Sequence, residues 1–524
     1  MSFKNSEFSI VPAELKVVMQ RNWPGLLWVG IVIFVFLLSA RYVRVSVDDL
    51  FIVLRYVENA ANGHGFVYNI GERVEGYTCF GWVLCLTGLV RLGWPAYWAA
   101  KLIGLMCSII TLWLCYGIGR EFWRGSRIAA FLPVVLLAAT PDFLYWSVSG
   151  LETPVYSTAV MAVLYLLVLE TRLAREQHSM RWLIVIGQAL LCGTATLMRP
   201  EGVALLAYAL VAKLVMWKAK QDGLRHCLVL GVTAALPIGI YFLWRHHYYG
   251  EWLPMTFYAK TGGAMLDRLH SGKLYLFEFL SANAFGWLGR HGNTAWPGVA
   301  MFLMLPVCAV PFIRKKRAHL MVLGWVILSV LIVLWEGGDW MPKSRFFIPA
   351  LGCWMLLVAH SAVELIVWVK ARIRGFSKHM AMVAMGSLMV FQGADSIRKN
   401  IQSPLPLSIE RDDSWPSVFS RTILETAPTG TLAASDIGLI GQLTHYRVID
   451  LVGLVDRHIA KSPGNSFQKD YDISYVLDQN PDFIILTDQR CLPESRIRND
   501  RRFLNNYQFV KKHEAHSLYK KRAD

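Results

Sequence analysis

Charge is what this sequence is short of. Only 17% of its 524 residues are Asp, Glu, Lys or Arg, against 55% hydrophobic, where a soluble domain carries about 25% charged residues. With a mean hydropathy of +0.38, that shortage excludes water-soluble, disordered and fibrous classes. No CxxC pair occurs among the nine cysteines, and Cys85, Cys107, Cys115, Cys192, Cys227, Cys308 and Cys353 lie in or beside apolar runs. Neither a zinc site nor a disulfide framework is indicated. The polar C-terminal stretch contains neither a GxGxxG nor a P-loop, which argues against a nucleotide substrate. No inverted repeat is visible, and Lys101 is the clearest of few ionisable residues inside the apolar runs. A transporter would need mid-membrane charges and access from both sides. The first 25 residues carry Glu7 and Glu14 and no cleavage-like site, so they read as an uncleaved first helix.

What the chain has is length of hydrophobic run. Apolar segments fall at roughly 26–40, 97–118, 128–146, 154–169, 182–198, 202–217, 227–244, 297–313, 319–335, 346–369 and 380–396, about eleven candidate transmembrane helices. The net charge of +16 gathers in the loops 119–127, 170–181, 218–226, 314–318 and 370–379. Lys and Arg resist translocation, so these loops are expected in the cytoplasm with the N-terminus, and no nucleic-acid partner is implied. The short apolar segment 79–93 is then interfacial. The loops 41–96, 147–153, 199–201, 245–296 and 336–345, and everything after about 397, lie outside.

That outer face collects polar motifs. VDDLFIVLRYVENAANGHGFVYNIGERVEGYT (47–78) carries Asp48, Asp49, Arg55 and His64; SGLET carries Glu152; LMRPEG carries Arg199 and Glu201. YYGEWLPMTFYAKTGG contributes Tyr258 and Lys260, and EGGDWMPKSRFF contributes Glu336, Asp339, Lys343 and Arg345. Taken singly, each has a structural explanation: acids cap helices, Arg-Pro-Glu turns the chain, and basic residues snorkel. Jointly, both signs of charge recur at one membrane face from loops hundreds of residues apart. A cleft there could grip an anionic headgroup and place a carboxylate beside a hydroxyl.

These motifs, in this order, resemble the GT-C superfamily of integral-membrane glycosyltransferases. More narrowly, DDLFIVLRYVENAANGHGFVYNIGERVEGYT, SGLET, RPEG, TFYAK, GGDWMPKSRFFIPAL and ASDIGLIGQLTHYRVIDLVGLVD (434–456) are similar to the bacterial arabinofuranosyltransferases of the mycobacterial terminal type. The resemblance implies a polytopic helical membrane module (1–396, first outer loop 41–96) and a soluble periplasmic α/β domain (397–524). It implies a polyprenyl-phosphate sugar donor, with arabinofuranose the favoured sugar, and a cell-envelope glycan or surface-protein acceptor, in the bacterial inner membrane. Mannose or another lipid-linked sugar is the alternative within the class, and a lipid or glycan transporter is the alternative outside it.

By the family pattern Asp48 or Asp49 is the catalytic base, with Asp48, first in the pair, slightly favoured. The other would orient the acceptor or bind a metal, so a divalent cation is a candidate cofactor. Lys260, Arg345, Arg199, Lys343 and Arg55 are the candidate ligands of the donor phosphate. Glu152, Glu201, Glu336, Asp339, His64 and Tyr258 are candidates for sugar or acceptor contact. In the C-terminal part GTLAAS, YRVIDLVG and PDFIILT read as buried strands, SPLPLS (403–408) and RDDSWPS (411–417) as linker and turn. Asp436, Asp450 and Asp456 fall near strand ends, where turn-forming roles are expected. Cys491 is the domain's only cysteine, so no disulfide forms within it.

Overall fold

The computed structural model describes residues 13–43, 45–176, 181–217, 221–260, 265–283, 316–372, 412–464, 468–488 and 491–523. The membrane part comprises α1 (Ala13–Tyr42), α2 (Asp48–Ala61), α3 (Phe80–Arg91), α4 (Ala96–Phe122), α5 (Arg127–Ala138), α6 (Pro141–Ser147) and α7 (Thr153–Glu176). It continues through α8 (Arg181–Met198), α9 (Gly202–Trp217), α10 (Gln221–Tyr249), α11 (Met255–Lys260), α12 (Met265–Asn283), α13 (Arg317–Glu336) and α14 (Ile348–Arg372). Among the described residues five stretches are long and apolar enough to cross a membrane: Ala96–Phe122, Thr153–Arg172, Gly223–Tyr249, Arg317–Glu336 and Arg345–Arg372. Leu27–Arg41, Trp182–Met198 and Gly202–Val215 are shorter apolar helices. The protein is a multi-pass membrane protein. The expected runs 297–313 and 380–396, and the expected domain boundary at 396/397, lie outside the described residues.

One expected span is broken. The run 128–146 forms α5 and α6, which meet at 67°. Pro141 at the start of α6 has no N–H to continue the α5 ladder, and it holds Thr140 in an extended conformation (φ −78°, ψ 119°). The expected interfacial segment is α3, whose 12 residues reach about 18 Å, short of the ~30 Å hydrocarbon core.

Helix α7 is central, packed against α4, α8, α13 and α14. Polar pairs sort into two layers at opposite helix ends. In the layer expected in the cytoplasm, Arg172 pairs with Glu121 at 2.7 Å, and the fully buried Lys213 pairs with Glu170 at 2.5 Å. At the other end lie the pairs that build the cleft described below.

The C-terminal domain is a five-stranded sheet of β1 (Thr431–Ala434), β2 (Arg447–Asp450), β3 (Phe483–Thr487), β4 (Tyr507–His513) and β5 (His516–Lys521), in the order β2-β1-β3-β5-β4. β2, β1 and β3 are parallel and correspond to the three expected strands; β5 and β4 continue the sheet antiparallel. Its helices are α15 (Trp415–Thr426), α16 (Gly438–Thr444), α17 (Arg457–Lys461), α18 (Ser474–Leu477), α19 (Leu492–Asn499) and α20 (Arg501–Asn506). The aspartates near the strand ends hold turns: buried Asp450 accepts from the N–H of Val452 and Val455, and Asp456 caps α17 through the Ile459 N–H. Asp436 lies 3.3 Å from His516.

The domain is fastened to α2 and the first outer loop. Asp48 accepts hydrogen bonds from the N–H of Gly438 (2.7 Å) and Leu439 (2.9 Å). Arg55, 5% exposed, donates to the carbonyls of Tyr68, Gly441 and Tyr446. Asn69 exchanges two hydrogen bonds with the backbone of Val448. At Gly438 the backbones approach so closely that a Cβ would collide with the Asp48 carbonyl oxygen.

Burial pushes the Asp48 carboxyl up to about 7; Asp436 adds to the push, and the Leu439 and Gly438 N–H groups oppose it. A folded pKa above the ordinary aspartate value means this group's contribution to stability falls as pH rises from about 4 to about 7. Thermal unfolding of purified protein at pH 5.5 and 7.5 should therefore show a midpoint difference that shrinks in Asp48→Asn.

Candidate active site

Consecutive residues on a helix point about 100° apart, so Asp48 and Asp49, both in the first turn of α2, face different ways. Asp48 faces the C-terminal domain. Asp49 faces a cleft of about 540 Å³ lined by residues of α2, the loop 76–79, Leu151 and Glu152, Arg199, Thr256, Lys260, Arg345 and Leu454. A quarter of the Asp49 side chain stays reachable by solvent, and its carboxylate lies 4.0 Å from Arg345 Nη1. Burial raises the Asp49 pKa above the ordinary aspartate value; the charges of Lys260 and Arg345 oppose that rise, and those of Asp339 and Glu152 add to it.

The two guanidinium groups of the cleft are deeply buried and held by carboxylates, one from the same loop in each case and, for Arg199, a second from the turn before α7. Arg345 Nε lies 2.7 Å from Asp339 Oδ2. Arg199 pairs with Glu152 at 3.1 Å and reaches Glu201 through two nitrogens, at 2.7 and 3.3 Å. The Phe346 ring lies 4.9 Å from the Arg199 guanidinium carbon and 5.3 Å from that of Arg345, giving both cations one π face. Lys260, at the end of α11, differs: it is exposed, and among the described residues no carboxylate lies within ion-pair distance of it. Arg199 also lines a second, smaller space shared by Tyr156, Glu201, Trp325, Val333, Glu336 and Phe346.

Of the residues singled out from sequence, Asp49, Glu152, Arg199, Lys260 and Arg345 meet in the cleft. Glu201 and Asp339 stand behind it as partners of the arginines, and Glu336 lines the second, smaller space. The others do not line the cleft. Asp48 and Arg55 are spent on domain docking, where their short hydrogen bonds leave no free side-chain group to aim at a ligand. Lys343, left-handed at φ 64°, has its ammonium 3.8 Å from Asp142 and its carbonyl bonded to Trp146. His64 is exposed in the turn after α2. Tyr258 turns its carbonyl to Lys469.

Three hydroxyl-bearing cleft residues were not singled out from sequence: Thr256, inside the TFYAK motif, and Tyr77 and Thr78, just ahead of α3. The Thr256 hydroxyl is buried with no hydrogen-bond partner among the described residues. Only its place in a charged motif could have marked it. The carboxylates of the cleft pair with guanidinium groups, and among the described residues no three His, Cys, Asp or Glu side chains group as a metal site would.

Against solved structures, the chain superposes on ArnT from Cupriavidus metallidurans, crystallised with undecaprenyl phosphate, with a TM-score of 0.59 at 13% identity. The match covers 95% of this chain and 98% of that one. This is the GT-C fold. Among curated proteins, this chain is 29% identical over 332 residues to the terminal β-(1→2)-arabinofuranosyltransferase of Mycobacterium tuberculosis, covering 58% of this chain and 51% of that protein. It is 30% identical over 335 residues to the protein of the same name from Corynebacterium glutamicum, covering 58% and 46%. The chain thus matches about half the length of these relatives. Residues 412–523 match a family described as a domain of unknown function (DUF8728).

Removing one partner from a buried ion pair strands the others, at a cost of about 3–5 kcal/mol. Arg199→Ala leaves Glu152 and Glu201 without their shared cation and should lower stability by that order. Arg199→Lys should recover only part, since one ammonium cannot span three contacts. Denaturant unfolding in detergent measures both.

Proposed function

We propose that this chain is a glycosyltransferase that moves arabinofuranose from a polyprenyl-phosphate donor to a hydroxyl of a cell-envelope glycan or surface protein. The reaction takes place at the outer face of the bacterial inner membrane. The observation that carries this reading is the Asp49 carboxylate, open to solvent in a cleft where the charges of Lys260 and Arg345 bear on it. Such a cleft supplies what glycosyl transfer from a phosphate requires: a base for the incoming hydroxyl, and fixed cations for the charge that grows on the leaving group. The GT-C fold and the names of the two curated relatives support the reaction class and the sugar.

In this reading the acceptor hydroxyl oxygen bonds to the anomeric carbon as the bond from that carbon to the phosphate oxygen breaks. The hydroxyl proton passes to Asp49, and the bonding electron pair leaves with the polyprenyl phosphate. Lys260, free of a carboxylate among the described residues, and Arg345 hold that phosphate. Asp49 rather than Asp48 is the base, because both Asp48 oxygens are taken by backbone N–H groups. Arg199, committed to Glu152 and Glu201, fixes the wall of the cleft. The cation-lined cleft gives the same support to another lipid-linked sugar such as mannose. A transporter would move the lipid without cleaving it.

Asp49→Asn should lower transfer from a polyprenyl-phosphate arabinofuranose by about 10²–10⁴-fold, the usual worth of a general base, while donor binding persists. In the wild type, transfer should fall as pH drops through a value above the ordinary aspartate pKa, since the base must be ionised to take the proton. Full turnover by Asp49→Asn would place the base elsewhere. For orientation, cysteines introduced by Lys316→Cys and Lys461→Cys should react with an impermeant thiol reagent only from the cytoplasmic and only from the outer side, respectively. Labelling of both from one side would overturn the topology.

A further inference from the structure

The helix that carries Lys260 is too short to stand by itself. α11 has six residues, fewer than two turns, and helices under about 12 residues are marginal in water without tertiary contacts. Its start is held by the first outer loop, where the Met255 N–H donates to the Glu75 carbonyl at 2.9 Å. Its end is held by the C-terminal domain, through Lys469, which is 1% exposed. The Lys469 ammonium donates to the carbonyls of Ala460 at 2.7 Å, Ser462 at 2.9 Å and Tyr258 at 3.1 Å. An ammonium has three N–H groups, so these three acceptors satisfy it. Two of them belong to its own domain; the third is on α11, two residues before Lys260. The Tyr258 carbonyl is among the last four of its helix, which find no partner within the helix, and a lysine from outside is one way to satisfy such a group.

The same segment is gripped from its outer side. Arg457 donates to the Tyr249 carbonyl at 2.7 Å. Arg457 and Lys461 share the Glu251 carboxylate, at 3.8 and 2.5 Å, and the Lys461 ammonium lies 5.4 Å from the centre of the Tyr258 ring. The passage from α10 to Lys260 is therefore fastened to the C-terminal domain at Tyr249, Glu251 and Tyr258. All three cations that do this lie within residues 412–523, the stretch matched by the domain of unknown function. Lys260 itself is exposed and lines the cleft, where its charge bears on Asp49. A point charge acts according to its distance, so the seat of α11 sets how strongly this ammonium bears on an anion in the cleft.

We propose that Lys469 is a positioning residue for the donor phosphate: by seating α11 it holds Lys260 where the phosphate binds, which gives the C-terminal domain a part in donor binding beyond closing the cleft wall. This rests on the transferase reading above, in which Lys260 is a phosphate ligand. The test measures binding of undecaprenyl phosphate to the full-length protein in phosphatidylcholine nanodiscs, for the wild type, Lys260→Ala, Lys469→Met and the double variant. Lys260→Ala should weaken the Kd about tenfold. Lys469→Met should weaken it about fivefold in the wild type and add no further loss in the Lys260→Ala background. A residue that only stabilised its own domain would cost the same in both backgrounds. If Lys469→Met does not fold, Lys461→Ala takes its place in the cycle. That side chain is exposed, and its loss should weaken binding about twofold, again only while Lys260 is present. An unchanged Kd in the folded variant, or equal losses in both backgrounds, overturns the positioning role and leaves Lys260 standing as a phosphate ligand. Binding undiminished by Lys260→Ala would instead bring down the part of Lys260 in the transferase reading, and the role of Lys469 with it.

Discussion

Two arginines kept out of water organise the half of this molecule that carries the cleft. A buried guanidinium is tolerated only where carboxylates and hydrogen-bond acceptors meet it, and here the partners come from separate loops: Glu152 ahead of α7, Glu201 between α8 and α9, Asp339 after α13. Each ion pair therefore ties one helix end to another. Phe346 stands beside both cations. At the centre stand Asp49, 4.0 Å from Arg345, and the exposed Lys260.

The same economy separates neighbours in sequence. Asp48 and Asp49 carry identical groups, yet a 100° turn of helix sends one to the amide groups at the start of α16 and the other into the cleft. The first fastens a domain whose Leu454 then closes the cleft wall. The residue that docks the domain and the residue that faces the cleft are thus adjacent in one helical turn. The fastening combines these hydrogen bonds with a shared apolar core, in which Ile437, Leu439, Ile440 and Val455 join residues of α2, and depends on close backbone approach at Gly438.

Much of this was legible in the chain. The apolar runs marked the helices because hydrocarbon-facing segments must be long and uncharged. The basic loops marked one layer of ends, and the quoted motifs named most residues of the cleft. The break of the third run at Thr140–Pro141 was hidden by continuous hydrophobicity, although Pro141 was its cause. Arg55 and Lys343 looked like phosphate ligands because composition cannot tell a cation facing a ligand from one committed to a carbonyl or an aspartate. Thr256 went unnamed because a lone hydroxyl carries no pattern.

By itself, then, the sequence determined the class of molecule, the layer in which polar chemistry gathers, and the residue types present there. These follow from what lipid and water exclude, a property of each segment taken alone. Only the tertiary structure decided which aspartate faces the cleft, which cations are already paired, and how the C-terminal domain completes the wall. Those are directions and distances between segments hundreds of residues apart, set by how buried charges find partners when the helices pack.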